Sequence, residues 1–205
     1  MAKRTMNKRY SVLPLAACMA AMMPLAACHK APVEPAPLAG ARIGGPFTLI
    51  DQDGKSYSSK ALAGRYSIIY FGYTFCPDAC PTDMQVLGKA MRQLDASDPA
   101  TSAKIQPVFI TVDPARDTPA ALKQFVTAFY PRLIGLTGTD AQIAAVAKQY
   151  ATTYRKQPAA AGSTGYLMDH QRTAILFGPD GKPIALLPID ADADAVVADL
   201  KKWVI

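Results

Sequence analysis

The sequence predicts an α/β fold with one central sheet, and three observations carry that reading. Two stretches, Ile68 to Phe71 and Pro107 to Asp113, are apolar, aromatic or β-branched without polar alternation, the pattern of strands buried on both faces. Each is followed by a segment with helix-start signals and apolar residues at helical spacing. Two further short apolar runs flank Gly178-Pro179-Asp180-Gly181-Lys182, and an amphipathic stretch closes the chain. At 205 residues, half of them hydrophobic, the chain is long enough for one good core, and no internal repeat or second domain is visible.

The N-terminal 27 residues read as an export signal. Lys3, Arg4, Lys8 and Arg9 precede an apolar run from Val12 to Ala27 that is too short to span a membrane comfortably. These four cations also account for most of the formal charge of +6; without them it falls from +6 to +2. With no basic cluster interleaved with aromatics elsewhere, the balance argues against nucleic-acid binding. The run ends in Leu25-Ala26-Ala27-Cys28, which resembles the bacterial lipoprotein box, in which the cysteine is lipidated and becomes the new N-terminus. The same tetrapeptide ends at Cys18. Cys28 is preferred, because cutting before Cys18 would leave Met19 to Ala27 as an exposed apolar tail. Residues 28–43 are rich in Pro and Ala and read as a semi-extended tether, with His29 as plain linker. The folded domain is expected over 44–205.

Within that domain, Phe47 to Ile50 and Ser56 to Ser58 flank Asp51-Gln52-Asp53-Gly54-Lys55, a hairpin with glycine in its turn. The buried run Ile68 to Phe71 comes next, and a Gly/Thr turn leads into Cys76 and Cys80. Pro81 is expected at the first position of the following helix, with Cys80 near its N-cap. Met84, Leu87, Met91 and Leu94 form one apolar stripe on that helix, at a spacing that marks them as core and not as metal ligands. After Pro107 to Asp113, Thr118 and Pro119 supply the N-cap and first position of a helix whose apolar face is Leu122, Phe125, Val126 and Phe129. Leu133 to Leu136 is a short strand, and Thr139-Asp140 starts a helix with Ile143, Val146, Ala147 and Tyr150 facing inward. Residues 155–168 read as a loop. The strands Thr173 to Phe177 and Ile184 to Leu187 and the helix Asp192 to Val204 complete the chain. The order, hairpin then βαβα then hairpin and helix, describes a thioredoxin-like fold with an N-terminal β-hairpin extension.

Chemistry concentrates at the strand-to-helix junction. Unpaired N–H groups and the positive end of the helix dipole favour thiolate there, the form that binds metals or attacks disulfides. Cys76 and Cys80, four residues apart, can hold one metal ion or close into a disulfide. Thioredoxin-type redox pairs have two residues between the cysteines, whereas this pair has three. A metal needs a third ligand, and His170 is the only histidine in the expected domain. In a thioredoxin-like fold the loop entering the third core strand packs beside the cysteine turn, which would bring His170 there. Two thiolates and an imidazole make a soft site suited to Cu(I), with too few ligands for a closed structural zinc site.

FCPDACP, VDPARDTP (Val112 to Pro119) and MDH (Met168 to His170) together resemble, in order and approximate spacing, the motifs of the Sco (Sco/SenC) copper-binding assembly proteins of cytochrome c oxidase. The resemblance covers roughly Gly44 to Val204. It implies a thioredoxin-like fold binding one copper, Cu(I) or Cu(II), through Cys76, Cys80 and His170. It also implies a role in delivering copper to the dinuclear copper centre of oxidase subunit II, or in reducing the cysteines of that centre. The expected partners are that subunit, a copper donor, a thiol reductant, and a membrane reached through the lipid anchor, with the domain in the periplasm. The chaperone reading is non-enzymatic and assigns no catalytic residue. The alternative is an exported thiol-disulfide oxidoreductase that uses a Cys76 to Cys80 disulfide. VDPARDTP is expected to act structurally, with Asp113 and Asp117 satisfying backbone donors and Arg116 pairing with them. Asp78 is expected to be exposed, tuning the thiols or meeting a partner. One departure is visible: where the family often continues after its histidine with Ser and then an aromatic, this chain has Gln171-Arg172-Thr173.

Overall fold

The computed structural model describes Ala2, residues 34–158 and residues 165–205. The expected signal, Cys18, Cys28, His29, the tether up to residue 33 and residues 159–164 lie outside the described residues. The folded unit runs from Pro35 to Ile205.

Its spine is β3 (Tyr66–Gly72), all seven residues of which are buried, as the unbroken apolar run requires. β3 pairs in parallel with β4 (Ile105–Thr111), and β4 pairs in parallel with β5 (Ile134–Thr137). On its other edge β3 meets β8 (Ala174–Phe177) antiparallel, and β8 turns back into β9 (Pro183–Leu187). The N-terminal hairpin β1 (Thr48–Asp51) and β2 (Ser56–Ser58) joins the far side through β1 and β5. Gly54 makes its turn at φ +75°, a region that side chains with a Cβ rarely enter. The resulting sheet has the order β2-β1-β5-β4-β3-β8-β9, so the three central parallel strands β5, β4 and β3 are flanked on both sides by antiparallel additions. This is the thioredoxin-like α/β architecture with its hairpin extension.

The helices cover the sheet. α1 (Ala79–Ser97) buries Met84, Leu87, Met91 and Leu94 to 2% exposure or less, so the methionine stripe is core. A short α2 (Pro99–Ala103), which the sequence reading did not include, follows an Asp98 cap. α3 (Pro119–Phe129) starts on the Thr118 cap, α4 (Asp140–Gln149) on a capping box made by Thr139 and Gln142, and α5 (Ala193–Trp203) on Asp192. Among the described residues no helix is long and apolar enough to cross a membrane.

Three expectations need correction. α1 starts two residues before Pro81, at Ala79, which puts Pro81 at its third position; a proline is tolerated there too, because the N–H it lacks has no partner within the helix. The stretch read as a loop over 155–168 contains two short strands, β6 (Tyr154–Gln157) and β7 (Leu167–His170), paired as a separate two-stranded antiparallel sheet. Their polar, partly exposed sequences carry no buried periodicity, so the pairing shows only in the folded chain. Contacts with the folded unit also begin before Gly44: the Leu38 N–H donates to the Ile184 carbonyl at 2.9 Å, and Leu38 and Ile43 pack on the core.

Candidate metal centre

β3 delivers its end to the site. Past Gly72 the chain leaves the sheet, and Thr74 is held by Asp117, whose carboxylate accepts the Thr74 N–H at 3.0 Å and the Thr74 hydroxyl at 2.6 Å. A third bond, from the Thr111 hydroxyl at 2.6 Å, ties the same carboxylate to the end of β4. Asp117 is fully buried, and burial pushes its pKa up against these hydrogen bonds. The turn is thereby anchored to the neighbouring strand before it reaches Cys76.

Cys76 is partly exposed and Cys80 is buried; the two sulfurs are free thiols. Cys80 occupies the second position of α1, and its N–H donates to the Cys76 sulfur at 3.4 Å, so that sulfur sits where a helix N-terminus favours negative charge. A hydrogen bond from the Cys80 thiol, opposed by burial and helped by His170 and by backbone N–H groups, holds Cys76 down at about 3. Cys80 moves the opposite way, well above the thiol range, because it makes that hydrogen bond to Cys76 and is buried. The pair is polarised, with the exposed sulfur as thiolate and the inner one as thiol.

β7 ends at His170, and its Nε2 lies 3.2 Å from the Cys80 sulfur. Nδ1 is 3.0 Å from the Gln171 carbonyl. A carbonyl oxygen only accepts, so Nδ1 carries a proton, and Nε2 is the ring nitrogen that faces the sulfurs. The edges and faces of Tyr70 and Tyr73 enclose the imidazole, with ring centroids at 6.1 Å and 5.9 Å. All three ligand atoms, two sulfurs and one nitrogen, fall within 4.8 Å of one another. This donor set fits a soft, low-coordinate cation. The His170 expected from the sequence is therefore brought to the two cysteines, although by a β-hairpin and not by a loop.

The motif VDPARDTP buttresses both halves. Asp113 accepts from Arg116 Nε at 2.5 Å and from the Tyr166 hydroxyl at 2.7 Å, while Arg116 Nη1 donates to the Tyr166 carbonyl at 2.9 Å. The Arg116 guanidinium lies 3.7 Å from the Tyr166 ring centroid and 4.9 Å from that of Phe75. The structural reading of the motif holds, with one correction of detail: the Arg116 ion pair is with Asp113, whose carboxylate serves side chains, and it is Asp117 that serves a backbone donor. Asp78 is exposed and precedes the first residue of α1, but its side chain makes no capping bond.

Sequence reasoning missed two residues. Asp83, one turn after Cys80 and fully buried, accepts from Arg172 at 2.5 and 3.1 Å and from the Tyr70 hydroxyl at 2.8 Å. The signal was present in the departure noted after His170, but only the fold pairs it with an acid 89 residues away. A cavity of about 480 Å³ lined by Leu62, Ser67, Tyr150 and Phe177 lies at the opposite end of β3 and touches none of the three candidate ligands.

Comparison with known proteins agrees with this geometry. The SCO1/SenC family model matches residues 35–205. The chain belongs to the SCO1/SenC family. Protein SCO2, mitochondrial, of Saccharomyces cerevisiae is 38% identical over 162 residues, covering 79% of this chain and 53% of that protein; the chain thus spans about half the length of this relative. Among solved structures, Bradyrhizobium japonicum ScoI with copper bound is 38% identical, with a TM-score of 0.71, covering 78% of this chain and 99% of that one. BsSco, in which a disulfide switch was identified and which is described as a member of the Sco family of cytochrome c oxidase assembly proteins, is 26% identical with a TM-score of 0.61, covering 79% of this chain and 94% of that one. Such SCO1/SenC relatives share the fold described above.

Proposed function

We propose that this SCO1/SenC protein is a copper metallochaperone that binds one copper, Cu(I) or Cu(II), through Cys76, Cys80 and His170 and serves the assembly of cytochrome c oxidase. The observation that carries the reading is the convergence within 4.8 Å of two sulfurs and one imidazole nitrogen, with the other ring nitrogen taken up by the Gln171 carbonyl. Copper is cargo here. Cys76 is already polarised toward thiolate, Cys80 gives up its proton on binding, and His170 supplies a neutral nitrogen. The finer reading assigns delivery to the dinuclear copper centre of subunit II. It places the domain in the periplasm, anchored through a lipid on Cys28 and a tether, with an upstream copper donor and a thiol reductant as further partners.

A second reading, thiol-disulfide exchange on the cysteines of that centre, is favoured by the polarised pair: a thiolate at Cys76 beside a thiol at Cys80 is the arrangement that attacks a partner disulfide and then resolves the mixed disulfide. It needs Cys76 and Cys80 but not necessarily His170. The test is a Cu(I) competition titration of the reduced protein, wild type beside Cys80→Ser and His170→Ala, joined to oxidase activity in cells carrying each variant. The chaperone reading expects both variants to bind more weakly and both strains to lose oxidase activity, with partial rescue by added copper. Normal oxidase assembly in the His170→Ala strain at limiting copper would overturn it in favour of the exchange reading.

A further inference from the structure

Arg172 and Asp83 join the two halves of the centre directly. Asp83 lies on α1 three residues after Cys80, and Arg172 lies two residues after His170, in the segment between β7 and β8. The guanidinium meets the carboxylate through two nitrogens, Nη2 to Oδ1 at 2.5 Å and Nε to Oδ2 at 3.1 Å. A two-point contact of this kind fixes direction as well as distance, which a lysine ammonium does not. The carboxylate is fully buried and must keep a partner for its charge, whereas the Arg172 side chain is 46% exposed and reaches in from the surface. On its other side Asp83 accepts from the Tyr70 hydroxyl at 2.8 Å, and the Tyr70 ring meets the His170 imidazole edge to face at 6.1 Å.

The remaining ties of His170 are weaker constraints on its place. Nδ1 bonds the carbonyl of its own neighbour, Gln171, which moves with it, and the Gln171 N–H reaches the Thr153 carbonyl at 3.3 Å inside the same outer hairpin region. Besides the approach of Nε2 to the Cys80 sulfur itself, the hydrogen-bonded tie from the His170 side to the cysteine helix among the described residues is the Arg172 fork.

We infer that Arg172, Asp83 and Tyr70 form a positioning clamp that holds the His170 imidazole against Cys80 so that the three ligands meet copper as a preformed set. The inference rests on the copper reading above and adds residues to it. Arg172 does not touch the metal; it acts through His170. Removing it frees the imidazole from its register with α1 while leaving both sulfurs in place.

The experiment is a Cu(I) competition titration of the reduced full chain, with X-ray absorption to count sulfur and nitrogen in the first shell and thermal melting of the metal-free protein as a folding control. Arg172→Met is expected to weaken Cu(I) binding by about 10–100-fold, the range found for residues that orient metal ligands, and to diminish the nitrogen signal. Arg172→Lys should restore only part of the loss. Because Arg172→Met strands a buried carboxylate, Arg172→Leu combined with Asp83→Leu removes the clamp without an orphan charge, and it should show the same weakening with the melting temperature retained. In a His170→Ala background, Arg172→Met should cost nothing further. An equal loss in the presence and absence of His170, or full affinity in the double-leucine variant, would overturn the clamp. If His170→Ala itself leaves Cu(I) affinity unchanged, the three-ligand copper reading has failed; if His170→Ala weakens binding and Arg172→Met does not, the clamp alone has failed.

Discussion

The cysteine half and the histidine half of the centre are held by different forces. Cys76 and Cys80 stand on the end of β3 and the first turn of α1, where Tyr70, Phe71, Tyr73 and Met84 are at most 2% exposed. The place of Cys80 is set by packing, and the partly exposed Cys76 is held beside it by the turn that Asp117 anchors. Each such buried side chain contributes on the order of 1.5–3 kcal/mol, so the local structure cannot shift without disturbing the core. His170 instead ends β7, one strand of a short two-stranded sheet in which Tyr154 and Met168 pack partly buried on the core and Arg155, Lys156, Leu167 and Asp169 are exposed. Its place is set by polar ties: Arg116 and Asp113 to Tyr166, Arg172 to Asp83, and Thr153 with Gln171. The buried Cys80 should therefore stay fixed with the core, while the His170 side should loosen without unfolding the domain. The chaperone function proposed above, in which a metal is taken up and then passed on, would be served by that asymmetry.

The largest effect is expected on the packed half. A Cβ added at Gly72 would lie 3.0 Å from the Cys80 sulfur, 2.8 Å from the Tyr70 ring and 2.9 Å from the Phe109 ring. Gly72→Ala should cost about 1–3 kcal/mol in chemical denaturation, the usual range for overpacking, and should weaken Cu(I) binding together with stability. Unchanged stability would mean that the cysteine half is looser than its burial implies.

On the polar half the two readouts should separate. Tyr166→Ala removes the stack on Arg116 and the bond to Asp113. Hydrogen exchange over residues 167–170 should quicken while the β3 amides keep their protection, and Cu(I) affinity should fall several-fold at a nearly unchanged melting temperature. Exchange that rises equally in β3 and β7 would erase the distinction between the halves.

The smallest effect concerns Asp117, which pins Thr74 ahead of the cysteines. Its folded pKa is raised by burial above the ordinary 3.8. The folded state therefore holds this proton more tightly than the unfolded chain does. The stabilising contribution of the protonated group is complete below pH 3.8 and is lost as pH rises through the folded value. Wild type should accordingly lose stability relative to Asp117→Asn as pH is raised from about 4, read as the difference between their melting temperatures. A difference that runs the other way, or that does not change with pH, would show that the three hydrogen bonds outweigh burial at this carboxylate.

Several features were legible in the residue order because their causes are local. The unbroken apolar runs of β3 and β4, the Thr118 cap, the helix starts near Thr139-Asp140 and Asp192, and the methionine stripe of α1 each depend on neighbours a few residues apart, and all appear in the structure within a residue or two of their expected places. The cysteine pair was legible for the same reason, since a strand, a turn and a helix start place both sulfurs at one junction. His170 could be nominated because the expected domain holds one histidine, in a motif resembling that of the family. The β6 and β7 strands, by contrast, have neither apolar alternation nor β-branched runs, and they exist because Tyr154 pairs with His170 and Gln157 with Leu167 once the chain returns upon itself. The partnership of Asp83 with Arg172, and of Arg116 with both Phe75 and Tyr166, likewise joins residues far apart in sequence. Charge complementarity alone leaves many such pairings open. Only the packed sheet and helices, by burying one carboxylate and bringing one guanidinium to it, decide which of them forms.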